Sequence, residues 1–393
     1  MPEIVEGLIE GTHFTVDFVL EKIRELTGGN SLLHAENLRS FDVQRLSAGE
    51  AFMSKVMRVD FEWKEPVDLN SIILKIPGFQ NPAGDQDDGG VAIFLERAHT
   101  RECVFYEQFA APPIPLKLPR FFYGSEYRRN TTSGVMILED MSHHSATVGL
   151  LPGFTDAQVV SLFTELGRVH AASWMDRRWL RVIGEEIHDP PGFMEGYRVA
   201  AESIRKIKPE VFEKLWNRLQ PAFKAEHYLR CGYSDEQFGV PACVVHGDLW
   251  AANVLWKREA KGGVTSELSA ILDWQMCHSG NPGADLARSL SLNTSAAYRR
   301  ENTDRLLHIY HDAVQEAMGK PPPFDFDQLK QLYRTALPYV AVLAAFGTPL
   351  YYRMASVVGY PQDEKKQEEL LDRARCFFED AIEVLQDGPK ENS

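Results

Sequence analysis

Cysteine is scarce in this chain and never paired in sequence: Cys103, Cys231, Cys243, Cys277 and Cys376 are scattered, odd in number and free of any Cys-x-x-Cys spacing. No disulfide framework is signalled, and a reducing, intracellular location is the expectation. Long apolar runs are missing as well, since the longest, Tyr339 to Phe346, is too short to cross a bilayer. The opening Met1-Pro2-Glu3-Ile4-Val5-Glu6 lacks the basic and apolar regions of a signal peptide. A cytoplasmic protein with no membrane partner is therefore expected. Positive charge is in deficit, with 42 Lys and Arg against 56 Asp and Glu and a formal net charge of -14. Clustered cations are what grip phosphate backbones and anionic membrane surfaces, so nucleic-acid binding and basic-patch docking are disfavoured. A nucleotide is still allowed, because a metal ion and a few local cations suffice for its phosphates.

What is present is ordinary globular material, 44% hydrophobic and 25% charged over 393 residues, long enough for two lobes. The texture changes along the chain. Val16 to Leu26 has helical spacing. From Asp42 to Ile76 come three short β-type runs, the second alternating at period two through Met57, Val59 and Phe61, and in the third Lys75 shares a face with Ile73 while opposing Ile72, Leu74 and Ile76. After a Gly- and Asp-rich stretch, Val91 to Phe109 reads as a helix, followed by strand-like runs at 121–123 and 134–139. The sum is an α+β fold, a five-stranded antiparallel sheet with one long helix over residues 1–140 and a mainly helical lobe over 141–393. Thr155 to Gln158 has the form of a capping box, and helices are expected around 210–229, 285–292, 303–318, 326–345 and 364–385. Strand material in this lobe is expected only at 242–245, 253–256 and 268–272.

Chemistry concentrates at those last strands. His246-Gly247-Asp248-Leu249-Trp250-Ala251-Ala252-Asn253 has the His-x-Asp pattern of a kinase catalytic loop, with Asn at the kinase spacing. Phosphoryl transfer needs a carboxylate to orient the attacking hydroxyl and take its proton, a role for Asp248. It also needs oxygen ligands for magnesium, roles for Asn253 and for Asp273 at the end of Ile271-Leu272-Asp273. A Lys near phosphates needs a carboxylate to fix it. Lys75 with Glu102 is the best-placed pair, and Glu96 and Glu107 remain alternatives. Ser47, Ala48 and Gly49 join the first two strands, where a loop would lie over the phosphates, though a single Gly there makes no Gly-rich motif.

These phrases, with Met136-Ile137-Leu138-Glu139-Asp140-Met141 and Asp285-Leu286-Ala287-Arg288, resemble the ecdysteroid-kinase-like branch of the choline and aminoglycoside kinase superfamily, within the protein-kinase-like superfamily. The resemblance covers about Leu46 to Leu292. It implies a protein-kinase-like fold with ATP and Mg2+ as cofactors and adenine at a hinge near 138–141, met by backbone groups of Glu139 and Met141. It further implies that Asp285 braces the catalytic loop and that His246 and His170 are structural.

A protein substrate is disfavoured: Gly247 stands where protein kinases carry Arg, Trp274-Gln275 follows Asp273, and no Ala-Pro-Glu appears downstream. The partner expected is a small-molecule alcohol. Trp174, Met175, Phe193, Tyr197, Phe346, Tyr351, Tyr352 and Met354 would suit a lipophilic one such as a steroid or a glycosylated xenobiotic, or could equally be ordinary core. The acidic balance also admits a cationic acceptor of the choline or aminoglycoside kind. A catalytically inactive kinase fold acting as a binding module is the third reading.

Overall fold

The computed structural model describes residues 7–46, 54–78, 90–128, 131–183, 190–233 and 236–387. Ser47, Ala48, Gly49 and most of the Gly- and Asp-rich stretch before Val91 lie outside the described residues. Backbone packing divides the chain into two compact units, Met1–Ala110 with Pro119–His143, and Ala111–Leu118 with His144–Ser393.

The first unit holds helix α1 (Val16–Leu26), strands β1 (Leu38–Arg45), β2 (Ser54–Trp63) and β3 (Ser71–Pro77), helix α2 (Gly90–Gln108), and strands β4 (Phe121–Ser125) and β5 (Val135–Glu139). The strands form one sheet in the order β1-β2-β3-β5-β4, with every pairing antiparallel. Period-two alternation decides its faces. Met57, Val59, Phe61, Ile72, Leu74, Val135 and Ile137 share a buried core with Val16, Val19, Leu20 and Ile23 of α1. Each such side chain contributes roughly 1.5–3 kcal/mol on leaving water. Thr15 caps α1 by accepting the Phe18 N–H at 3.2 Å. Lys75 points away from that core, toward α2.

The second unit adds strand β6 (Ser145–Ala146), then helices α3 (Asp156–Met175), α4 (Leu180–Ile183), α5 (Pro190–Ala201), α6 (Ile204–Ile207), α7 (Pro209–Leu219) and α8 (Ala225–Gly232). Strands β7 (Glu236–Gln237), β8 (Val240–Pro241), β9 (Cys243–Val245), β10 (Val254–Arg258), β11 (Val264–Ile271) and β12 (His278–Gly280) follow. Helices α9 (Gly283–Ser291), α10 (Ala296–Met318), α11 (Phe326–Tyr351), α12 (Ala355–Val358) and α13 (Glu364–Asp387) complete it. The capping box at α3 forms as expected: Thr155 Oγ1 accepts the Gln158 N–H at 3.3 Å, and Gln158 Oε1 accepts the Thr155 N–H at 3.0 Å. Helix α3 packs closely on α10 at Gly167, where a Cβ would stand 2.8 Å from that of Ala313. The segment 111–118 is fastened to this unit by three bonds. Lys117 N–H donates to Glu165 Oε1 at 2.6 Å, Ile271 N–H donates to Lys117 O at 3.0 Å, and Arg168 Nη2 donates to Pro115 O at 2.7 Å.

Three sequence expectations need correction. The helix expected over 210–229 is two, α7 and α8, because Pro221 interrupts the run in a 3-10 turn at Gln220–Phe223. Helix α11 continues past Ala345 to Tyr351 although Gly347 and Pro349 oppose it, since its face there is buried and packing overrides propensity. The strand inventory of this unit was too short, missing β6, which pairs with β10, β12, which pairs with β9, and the β7–β8 pair.

Candidate active site

In the first unit the Lys75 ammonium lies 2.6 Å from Glu102 Oε2, with both side chains buried. Glu96 instead faces Arg128 at 3.9 Å. One turn before Glu102 on α2, His99 Nε2–H donates to the Ser125 carbonyl at 2.8 Å, tying the helix to β4. Burial, aided by the positive charge of Lys75, holds this imidazole down to about 4, against a smaller opposing effect from the Ser125 bond. A folded-state value below the ordinary 6.5 means that the folded form takes up its proton later than the unfolded chain. The stability that His99 contributes is therefore complete above pH 6.5 and falls by about 3 kcal/mol as pH drops toward 4. Denaturant titration at pH 7 and pH 4.5 should show this slope in the wild type and a shallower one in His99→Gln.

At the end of β5, Glu139 N–H donates to Arg120 O at 2.9 Å and Glu139 Oε2 accepts Arg120 N–H at 3.0 Å. Any adenine contact from Glu139 thus falls to its carbonyl. Met141 makes no backbone hydrogen bond among the described residues. Between them Asp140 is buried, accepting from Ser71 Oγ at 2.7 Å and Ser142 N–H at 2.9 Å, with Arg58 at 2.9 Å. Burial alone would push this carboxyl up, but those partners outweigh it and hold it below the usual range. Asp140 therefore fixes the chain where β5 turns, a role that its place in the motif gave no reason to expect.

In the second unit the His-Gly-Asp segment leaves β9, whose three residues are all buried. Asp285 of α9, wholly buried, accepts the His246 N–H at 2.7 Å and the Gly247 N–H at 3.1 Å, and His170 Nε2 lies 3.3 Å away. Burial pushes the Asp285 carboxyl up, but His170, His246 and the backbone bond outweigh it, and the carboxyl sits below its ordinary value. The His246 tautomer is set by its neighbours: Nδ1 accepts the Asp248 N–H at 3.1 Å, so Nε2 carries the proton and donates to Leu272 O at 2.8 Å. Gly247 has φ 83, and a Cβ there would stand 2.7 Å from Met276 O. An Arg at this position would not fit the turn. Asp285→Asn should destabilise the protein by about 3 kcal/mol, because the amide offers a donor to one of the two N–H groups that the carboxylate accepts. Urea denaturation checks the magnitude.

Asn253 closes the loop, its Nδ2 donating to Asp248 O at 2.9 Å, which leaves Oδ1 as the acceptor of that amide. The β10–β11 hairpin then brings residue 272 back beside it, with Leu272 N–H donating to Asn253 O at 2.8 Å. Asp273 follows in left-handed conformation at φ 63, which is uncommon outside glycine and is kept where surrounding structure enforces it. Its Oδ2 accepts Gln275 Nε2 at 3.2 Å. An amide oxygen and a carboxylate make an oxygen donor set, the kind that magnesium takes. Among the described residues no group of three or more His, Cys, Asp and Glu could hold a metal ion. A cation here would complete its shell with oxygens from a bound nucleotide.

The sequence reading missed the neighbour of Asp248. Arg288 of α9 is buried, and its Nη2 donates to Asp248 Oδ1 at 3.0 Å and lies 3.4 Å from Tyr351 Oη. The Tyr351 ring stacks on Trp250 with centroids 4.9 Å apart, and Tyr197 packs on Phe346 at 4.6 Å. Trp174, grouped with these in the sequence, is instead core: its Nε1 donates to Pro241 O at 2.9 Å and its ring packs on Phe324.

A five-stranded antiparallel sheet with a buried Lys–Glu pair, and a helical unit with a His-x-Asp loop braced from α9, describe the protein-kinase-like fold. The solved choline kinase from Cryptosporidium parvum Iowa II has this fold and matches with a TM-score of 0.52 at 11% identity, covering 94% of this chain and 96% of that one. The chain belongs to the DUF1679 family, whose description reads "Uncharacterized oxidoreductase dhs-27" and whose model matches residues 2–388. The uncharacterized kinase-like protein D1044.1 of Caenorhabditis elegans is 29% identical over 332 residues, 79% of this chain and 84% of that protein. Uncharacterized oxidoreductase dhs-27 of the same organism is 23% identical over 360 residues, 83% of this chain but only 43% of that protein. No helix among the described residues is long and apolar enough to cross a membrane.

Proposed function

We propose that this protein is a small-molecule kinase that moves the γ-phosphoryl group of ATP to a hydroxyl of a lipophilic alcohol. The observation that carries the reading is Asp248, set on a loop whose backbone is held by the wholly buried Asp285 and whose own N–H is held by His246. Asp248 accepts the proton of the acceptor hydroxyl while that hydroxyl's oxygen bonds to the γ-phosphorus and the bond from that phosphorus to the bridging oxygen of ADP breaks. Lys75, fixed by Glu102, is assigned to the nucleotide phosphates, as are Ser47, Ala48 and Gly49, and Glu139 and Met141 to adenine. Asn253 Oδ1 and Asp273 would hold magnesium, which neutralises charge on the phosphate oxygens. His246 and Asp285 support the loop.

The chain spans less than half of the relative named an oxidoreductase, and the pairings described weigh against that activity here. Dinucleotide oxidoreductases build on a parallel sheet with a Gly-rich first turn. Every strand pairing among the described residues is antiparallel, and the sequence contains no Gly-x-Gly-x-x-Gly. Incubating the protein with γ-labelled ATP and a panel of sterols, glycosides, choline and aminoglycosides tests the proposal. Label in one acceptor class is expected. ATP binding without transfer to any acceptor would favour the inactive binding module instead.

A further inference from the structure

Arg288 is a buried charge that the chemistry above uses only in part. It is 2% exposed, and among the described residues only its Nη2 is engaged, by Asp248 Oδ1 and, at longer range, Tyr351 Oη. The remaining nitrogens, Nε and Nη1, are buried and have no hydrogen-bond partner among the described residues. A guanidinium keeps its charge at any working pH and presents its donors in a fixed planar fork. Buried donors are nearly always satisfied, so unpartnered N–H groups on a charged fork beside Asp248 are donors awaiting an oxygen.

The surroundings say what kind of molecule would bring it. Trp250, Tyr351, Tyr197 and Phe346 supply aromatic surface for an apolar body. Burial pushes the Tyr351 and Tyr197 phenols up, so both remain neutral near Arg288. When Asp248 takes up the acceptor's proton, Arg288 loses the charge that compensates it, and an anion on its free N–H groups restores the balance. An ammonium group there would meet a fixed positive charge.

We propose that Arg288 recognises a carboxylate carried by the acceptor alcohol near its reacting hydroxyl, an assignment that rests on the kinase reading and narrows its substrate class to hydroxy acids with an apolar body. Nucleotide-free protein titrated calorimetrically with mandelate, its methyl ester and 2-amino-1-phenylethanol tests this, since the three carry one benzylic hydroxyl beside an anionic, a neutral and a cationic group. The carboxylate should bind at least about tenfold more tightly than the ester, as a charge-assisted bond predicts, with the amine weakest. Arg288→Gln should bring the carboxylate down to the level of the ester, and Arg288→Lys should retain part of the preference. Failure of the carboxylate to bind, the amine binding as tightly, or a preference intact in Arg288→Gln overturns the proposal. Should the Gln variant not fold, an undiminished preference in Arg288→Lys does the same. ATP binding and transfer are measured separately, so loss of the kinase reading and loss of this one are distinguishable.

Discussion

Asp248→Asn is expected to keep ATP affinity within about twofold of the wild type and to lower phosphoryl transfer by on the order of a hundredfold or more, the scale of a positioned general base. The substitution keeps the size of the side chain, and the amide oxygen can still accept from Arg288 Nη2, now 3.0 Å from the carboxylate. The bond from Asp248 N–H to His246 Nδ1 uses only the backbone of residue 248 and survives. What disappears is the group that takes the proton. Transfer rates measured with saturating ATP, together with calorimetric ATP affinity, separate the two effects. Equal activity in variant and wild type would end the assignment of Asp248, whichever acceptor is used.

Asp273→Asn should have an effect at least as large, on a different quantity. Asn tolerates the left-handed backbone seen at φ 63 about as well as Asp, so the change removes charge with little strain. Magnesium should then no longer tighten nucleotide binding. Transfer should fall by roughly a hundred- to a thousandfold, as several kcal/mol of charge stabilisation imply. Nucleotide affinity measured with magnesium and with excess chelator provides the check. A metal dependence equal to that of the wild type would show that Asp273 serves another purpose.

Much of this fold could be read from alternation alone. Met57, Val59 and Phe61 against Arg58 and Asp60 set the face of β2, and Lys75 out of phase with Ile72 and Leu74 set the face from which it reaches Glu102. Local signals such as the capping box at Thr155 were legible for the same reason, since they act over one turn of chain. The bond between Arg288 and Asp248 spans 40 residues and that between Arg288 and Tyr351 spans 63. No periodicity encodes such pairs. Tyr351 was named among the candidate aromatics, but not its place at the end of a helix that packing carries through Gly347 and Pro349. Trp174 stayed open between substrate and core, for an aromatic on a helical face looks the same in sequence whether it meets substrate or Phe324.

The segment 111–118 has a consequence for how this chain could be cut, shuffled or inherited. Because those residues leave the first unit, bond to Glu165, Arg168 and Ile271, and return, the polypeptide passes from one unit to the other at three places. Neither unit is a cassette that a single crossover could transplant. A recombinant joined near residue 140 would inherit its helical unit without the native strap that accepts the Ile271 N–H and donates to the Glu165 carboxylate. Gene fusion at either end of the chain leaves all three passages intact, whereas insertion inside 111–118 does not.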